Sequence, residues 1–219
     1  MIPYDFGDVL FPRDIREEPY SEPFFEKYYQ NFCTFGYRAQ IIGGHGTGKT
    51  TFLIEFVRYL EYRKHVVHYF TLHDGRRTLP REFWERQNTL VAQFPDGAMQ
   101  EPPLAVVDGY EQLSLIQKMR LRRTCRKGRS GLLITTHAPA WRLPVLLRTE
   151  TTDATLQYII GHLFRDLPNI EPPDKSLCRA LFDRHQGNLR NVLFDLYDHC
   201  EERSESVSSE QSHACQRVE

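Results

Sequence analysis

What this sequence lacks narrows it first. No C-x-x-C pair occurs among its five cysteines, Cys33, Cys125, Cys178, Cys200 and Cys215, which are scattered and odd in number. A disulfide framework and a zinc site are both left without their usual spacing, and reduced thiols in a cytoplasm are the expectation. Charge of one sign is missing too: 28 Lys and Arg stand against 29 Asp and Glu, a formal net charge of -1. That balance excludes a global basic field drawing the whole chain onto nucleic acid or anionic lipid. The opening MIPYDFGDVLFPRDIREEPY carries acids and prolines where a secretory leader needs a basic start and an apolar run, and no stretch reaches transmembrane length. His65, His68 and His73 have no acidic or cysteine partner at metal spacing, and no G-x-S-x-G elbow, LSGGQ-type signature or N-K-x-D motif is present.

What is present has the size and composition of one globular domain with a small appendage: 219 residues, 40% hydrophobic and 26% charged. Residues 1–22 hold three prolines without a period and read as an irregular arm. In EPFFEKYYQNF the aromatics Phe24, Phe25, Tyr28, Tyr29 and Phe32 fall at helical spacing, which predicts an amphipathic helix against the core. Five short apolar segments then read as buried strands: RAQIIGG, HVVHYFTL, PLAVVDG, GLLITTH and PVLLRTET. Helical patterns separate the first four, so the expectation is an α/β fold with a parallel sheet covered on both faces. Beyond the strands, TDATLQYIIGHLFRDL, KSLCRALFDRH and NLRNVLFDLYDHC are helical with no further strand. The expected division is a core over 23–168, a small helical lid over 169–200 and a polar, serine-rich disordered tail over 201–219.

The chemistry lies between the first strand and its helix. GGHGTGKT fits G-x-x-x-x-G-K-[ST], with Gly43, Gly48, Lys49 and Thr50 in the defining places, an apolar strand before it and an amphipathic helix after it. Glycines at 43, 44, 46 and 48 let backbone N–H groups turn inward and, with His45 and Thr47, cradle phosphates at the helix's positive end. Lys49 is expected to reach the β- and γ-phosphates, the Thr50 hydroxyl to coordinate Mg2+, and Thr51 to hold the α-phosphate. In PLAVVDGYEQLS four apolar residues lead into Asp108, a Walker B pattern in which a buried strand ends in a carboxylate holding the magnesium shell.

On these two motifs the chain, over roughly Tyr37 to Asp198, resembles the P-loop NTPases with an additional central strand, and within them the AAA+ and related signal-transduction ATPases. The resemblance implies a three-layer fold with strand order 5-1-4-3-2, ATP as the nucleotide, and a polar γ-phosphate sensor at the tip of the fourth strand, here Thr136 or His137. It also implies a Gly-x-x-Arg start to the lid's last helix, which Gly187 and Arg190 fit, placing Arg190 near the γ-phosphate. Many members carry Glu directly after the Walker B Asp; here that place is Gly109. Glu111 is the nearest replacement for orienting or deprotonating water, and equally an acid suited to a helix's first turn.

The basic run MRLRRTCRKGR reads as a solvated face, as a patch for nucleic acid or an acidic partner, or, by the same resemblance, as the source of an arginine finger at Arg126 or Arg129 reaching a neighbouring copy. The leading functional expectation is a Mg2+-dependent ATPase that couples nucleotide binding and hydrolysis to movement or assembly, with Lys49, Asp108 and Glu111 as catalytic residues and an unidentified protein or nucleic acid as partner. A nucleotide-gated binding module with little hydrolysis is the alternative that Gly109 motivates. A small-molecule kinase is a further one, weakened by the lack of an evident acceptor pocket.

Overall fold

The computed structural model describes residues 23–72, 75–93, 101–165 and 171–201. The arm over 1–22, His73 and the tail beyond 201 lie outside them. Helix α1 (Pro23–Thr34) precedes strand β1 (Arg38–Gly43), and α2 (Lys49–Tyr62) leads to β2 (Val67–Thr71). Then come α3 (Arg81–Gln93), β3 (Leu104–Asp108), a single 3-10 turn at Tyr110–Gln112, α4 (Leu115–Lys127), β4 (Gly131–Thr136) and β5 (Val145–Thr149). Helices α5 (Asp153–Arg165), α6 (Lys175–Arg184) and α7 (189–201) follow.

All pairings in the sheet are parallel, in the order β2-β3-β4-β1-β5. This is the expected 5-1-4-3-2 read from the other edge. Strand alternation explains the layering. Leu104 and Val106 of β3 and Leu133 of β4 join Phe25 and Phe32 of α1 and Phe52, Leu53 and Phe56 of α2 on one face. Ala105 and Val107 of β3, with Leu132 and Ile134 of β4, join Phe83 and Trp84 of α3 and Leu121 and Cys125 of α4 on the other. Strands β3 and β4 are therefore buried along their whole length, as a parallel sheet covered on both faces requires. Each large side chain so placed is worth about 1.5–3 kcal/mol.

The aromatic stripe of α1 is core, as its spacing suggests: the Phe25 ring lies 6.2 Å from that of Phe56 and 5.8 Å from that of Tyr59, both stacked. Among the described residues no helix is long and apolar enough to cross a membrane.

The chain divides into two compact units. One runs through β5 apart from the loop tip Gly44–Thr47; the other holds that tip and the chain from Glu150 onward. In the second unit α5 packs on α6, with Leu156, Ile159 and Ile160 buried on one and Cys178 and Leu181 on the other.

Candidate functional site

All five strands point the same way, so their carboxyl ends gather on one edge of the sheet, the edge where open α/β folds place ligands. Strand β1 delivers Gly43 there. The chain re-enters as α2 through Gly48, at φ 85° in the left-handed region, with no side chain capping the helix and no acid in its first turn. A helix start of this kind turns its positive end toward the carboxyl edge of the sheet. Lys49 is nearly buried, its Nζ donating to the Gly43 carbonyl at 2.9 Å and lying 3.4 Å from His137 Nδ1. Gly44 and His45 of the loop tip are exposed, and the Thr47 hydroxyl donates to the Gly44 carbonyl at 3.0 Å.

Strand β3 ends in Asp108, a carboxylate with only 5% of its surface exposed. Thr50 donates its hydroxyl to Asp108 Oδ2 at 2.8 Å, which joins the loop lysine's neighbour to the end of β3. The other oxygen, Oδ1, accepts from the Thr135 hydroxyl, and Thr135 in turn accepts from the Gly109 amide at 2.8 Å. Both carboxylate oxygens are held by neutral hydroxyls. A hydroxyl and a carboxylate at this separation form a hard oxygen pair of the kind Mg2+ takes when phosphates and water complete its shell. Among the described residues no group of three His, Cys, Asp or Glu could hold a metal by itself.

Gly109 shows why the acid is not directly after Asp108. Its φ is 79°, and a Cβ there would lie 2.8 Å from Gln112 Nε2 and 3.1 Å from the Leu72 carbonyl oxygen. A glutamate at 109 would be strained by backbone and neighbours alike. The 3-10 turn that follows presents Glu111 instead, and its Oε1 meets His137 Nε2 at 3.1 Å. The other oxygen, Oε2, is buried with no hydrogen-bond partner among the described residues, and Lys118 anchors the backbone by donating to the Glu111 carbonyl at 2.9 Å. His137 lies between the two motifs, since its Nδ1 also stands 3.1 Å from the Gly43 carbonyl oxygen. Burial pushes the phenol of the adjacent Tyr110 above its ordinary range.

Lys49, Thr50, Asp108, Glu111 and His137 therefore form one connected set. Thr136 does not join it: the side chain is buried and its hydroxyl donates to the Ala138 carbonyl at 2.9 Å. Thr135, absent from the sequence-derived site, does. Alternation puts Thr135 and Thr136 on opposite faces of β4, and the pairing of β4 with β3 decides which of them meets Asp108. Thr51 lies half-buried in the first turn of α2.

The second unit has its own close approach. Gly187, at φ 77°, accepts from the Thr151 hydroxyl at 2.6 Å, and Asn188 Oδ1 accepts from the Asn191 amide at 3.4 Å at the start of α7. A Cβ added to Gly46 would lie 1.9 Å from Asn188 Oδ1 and 3.1 Å from the Arg190 amide nitrogen. The loop tip and the start of α7 meet where no side chain fits. The Arg190 side chain is exposed. Of the basic cluster, Arg126 lies in the last turn of α4 and Arg129 just beyond it, at φ 50°.

No protein-family profile matches this chain, and no curated protein matches it in sequence. Solved structures do match in fold. One, described as a DNA replication initiation factor, is similar over 83% of this chain and 63% of its own, with TM-score 0.52 and 16% identity. Another, the replication initiator DnaA bound to AMPPCP and single-stranded DNA, is similar over the same shares with TM-score 0.51 and 16% identity. This chain thus spans under two thirds of either relative. With β4 inserted between β1 and β3 of its parallel five-stranded sheet, the chain has the fold of these two structures.

Proposed function

We propose that the protein binds Mg-ATP and hydrolyses it slowly, coupling the cycle to movement of its C-terminal helices or to assembly. The observation that carries this reading is the Thr50–Asp108 hydrogen bond of 2.8 Å, which joins the loop motif to the carboxylate of β3. In this reading the loop amides and Lys49 hold the phosphates, and Thr50 and Asp108 hold Mg2+, which supplies charge neutralisation on the phosphate oxygens. Glu111 orients a water whose oxygen bonds to the γ-phosphorus as the bond to the bridging oxygen breaks. The water's proton passes to the carboxylate, and ADP and phosphate leave. Catalysis is then mainly positioning and charge stabilisation. His137 fits the sensor role better than Thr136 because it touches both Gly43 and Glu111, and Arg190 is proposed to act from α7.

Gly109 supports a second reading, a nucleotide-gated module with little turnover, since the place directly after Asp108 has no acid and no room for one. A partner, protein or nucleic acid, would receive the motion; single-stranded DNA bound to one structural relative keeps nucleic acid among the candidates. A cytoplasmic setting goes with the thiols of Cys33, Cys125 and Cys178, which form no disulfide among the described residues.

The deciding experiment is Mg2+-dependent phosphate release from ATP by wild type, Lys49→Ala and Glu111→Gln. Release by the wild type, reduced about 100-fold or more in Lys49→Ala, supports the ATPase. ATP binding without release above the Lys49→Ala level selects the gated module, and failure to bind ATP at all sinks both.

A further inference from the structure

The outer face of α4 is a surface that nucleotide chemistry does not use. Leu115, Ile116 and Met119 are 73%, 75% and 60% exposed, and the helix LIQKMRLRRTCRK contains no acid. A solvated helix face carries mixed charge. Here an apolar first half passes directly into exposed Arg120 and Arg123.

Beside the basic half, between α3 and α4, runs an open groove of about 420 Å³ lined by Leu79, Arg81, Trp84, Glu85, Asn88 and Arg120. Trp84 is 6% exposed, and its indole Nε1 is buried with no hydrogen-bond partner among the described residues. The Arg120 guanidinium lies 4.1 Å from the centroid of the same ring. The exposed Arg120 guanidinium presents its donor fork on the groove wall, which favours a carboxylate. The groove's own acid, Glu85, is already paired with Arg81 at 2.6 Å.

We propose that this face docks an acidic amphipathic segment of a partner protein, its apolar side chains on Leu115, Ile116 and Met119 and a carboxylate in the groove at Trp84 and Arg120. Charge complementarity names the occupant: a basic, acid-free helix edge selects acids, and three adjoining aliphatic side chains select apolar ones. Nucleic acid fits less well. Single strands are bound by basic grooves with aromatic platforms for the bases, whereas the exposed side chains here are aliphatic and Glu85 stands on the groove wall. The proposal does not depend on the ATPase reading, because no residue of the nucleotide site takes part.

The test is selection from a randomised peptide-display library on the full-length protein, followed by fluorescence anisotropy of the enriched peptides with wild type, Ile116→Glu and Arg120→Glu. Both substitutions are on exposed positions, and unchanged thermal unfolding midpoints confirm intact folds. The expected result is a consensus mixing acids with large apolar residues, and binding roughly tenfold weaker in each variant, equivalent to about 1.4 kcal/mol. Peptides without acids, or affinities unchanged in both variants, overturn it. A thymidine oligonucleotide that binds the wild type and is lost in Arg120→Glu but not in Ile116→Glu overturns it in favour of nucleic acid. Self-association of the wild type that Ile116→Glu abolishes overturns it in favour of a second copy of this chain.

Discussion

Asp108 and Glu111 are three residues apart and differ in how completely their surroundings satisfy them. Asp108 ends a fully buried strand with both oxygens occupied, one by Thr50 and one by Thr135. Glu111, on a single 3-10 turn, uses one oxygen on His137 and leaves the other buried without a partner. The first carboxylate is built into the protein's own network and serves the fold as well as any ligand. The second depends on one side-chain neighbour and on the turn that carries it, so its position is set more loosely than that of Asp108.

The contrast breaks most sharply at Glu111. Glu111→Gln keeps size and loses basicity, so turnover should fall about 100-fold or more while ATP affinity and the unfolding midpoint stay near wild type; a melt that moves as much as the rate would make Glu111 structural. Asp108→Ala should do the reverse in stability. It leaves the Thr50 and Thr135 hydroxyls without their acceptor, and chemical denaturation should show a loss of about 1–3 kcal/mol, together with loss of the Mg2+ dependence of nucleotide binding. An unchanged denaturation midpoint would mean that the network is not holding the strand ends.

Gly109→Ala sharpens the same comparison from the backbone. A side chain at φ 79° against Leu72 and Gln112 should lower stability by about 1–2 kcal/mol, and the displaced turn should lower turnover more than it lowers ATP binding. The smallest effect is expected from pH. Burial holds His65 and His68 below the ordinary imidazole value of 6.5, so the folded protein keeps them neutral. Their contribution is complete above that value and is lost as pH falls, because the unfolded chain then takes up protons first. Urea midpoints measured from about pH 7.5 down to about pH 5.5 should decline, and less so in His68→Asn.

Much of this was legible before any coordinates. The five strands were readable because each is short, apolar and bounded by breakers, and the α1 stripe because aromatics at helical spacing have one economical place to go. The loop motif was readable because its glycines and Lys49-Thr50 have few other uses in that order. Illegible were the features that depend on which neighbour lies across the sheet. Thr135 and Thr136 are chemically identical in the sequence, and only the β4 register against β1 and β3 separates the one on Asp108 from the one on Ala138. The missing glutamate read as a departure from pattern, and only the left-handed turn at Gly109 shows the backbone reason for it.

The sequence by itself determined the parallel α/β fold, the glycine-rich loop after β1 and the carboxylate that ends β3, since periodicity and glycine placement act over short stretches of chain. Tertiary structure alone decided which polar side chains meet. It set His137 between Gly43 and Glu111, Thr135 on Asp108, and Asn188 against Gly46. Those contacts join residues tens to more than a hundred positions apart, and their partners are chosen by sheet register and close approach, quantities that no local pattern encodes.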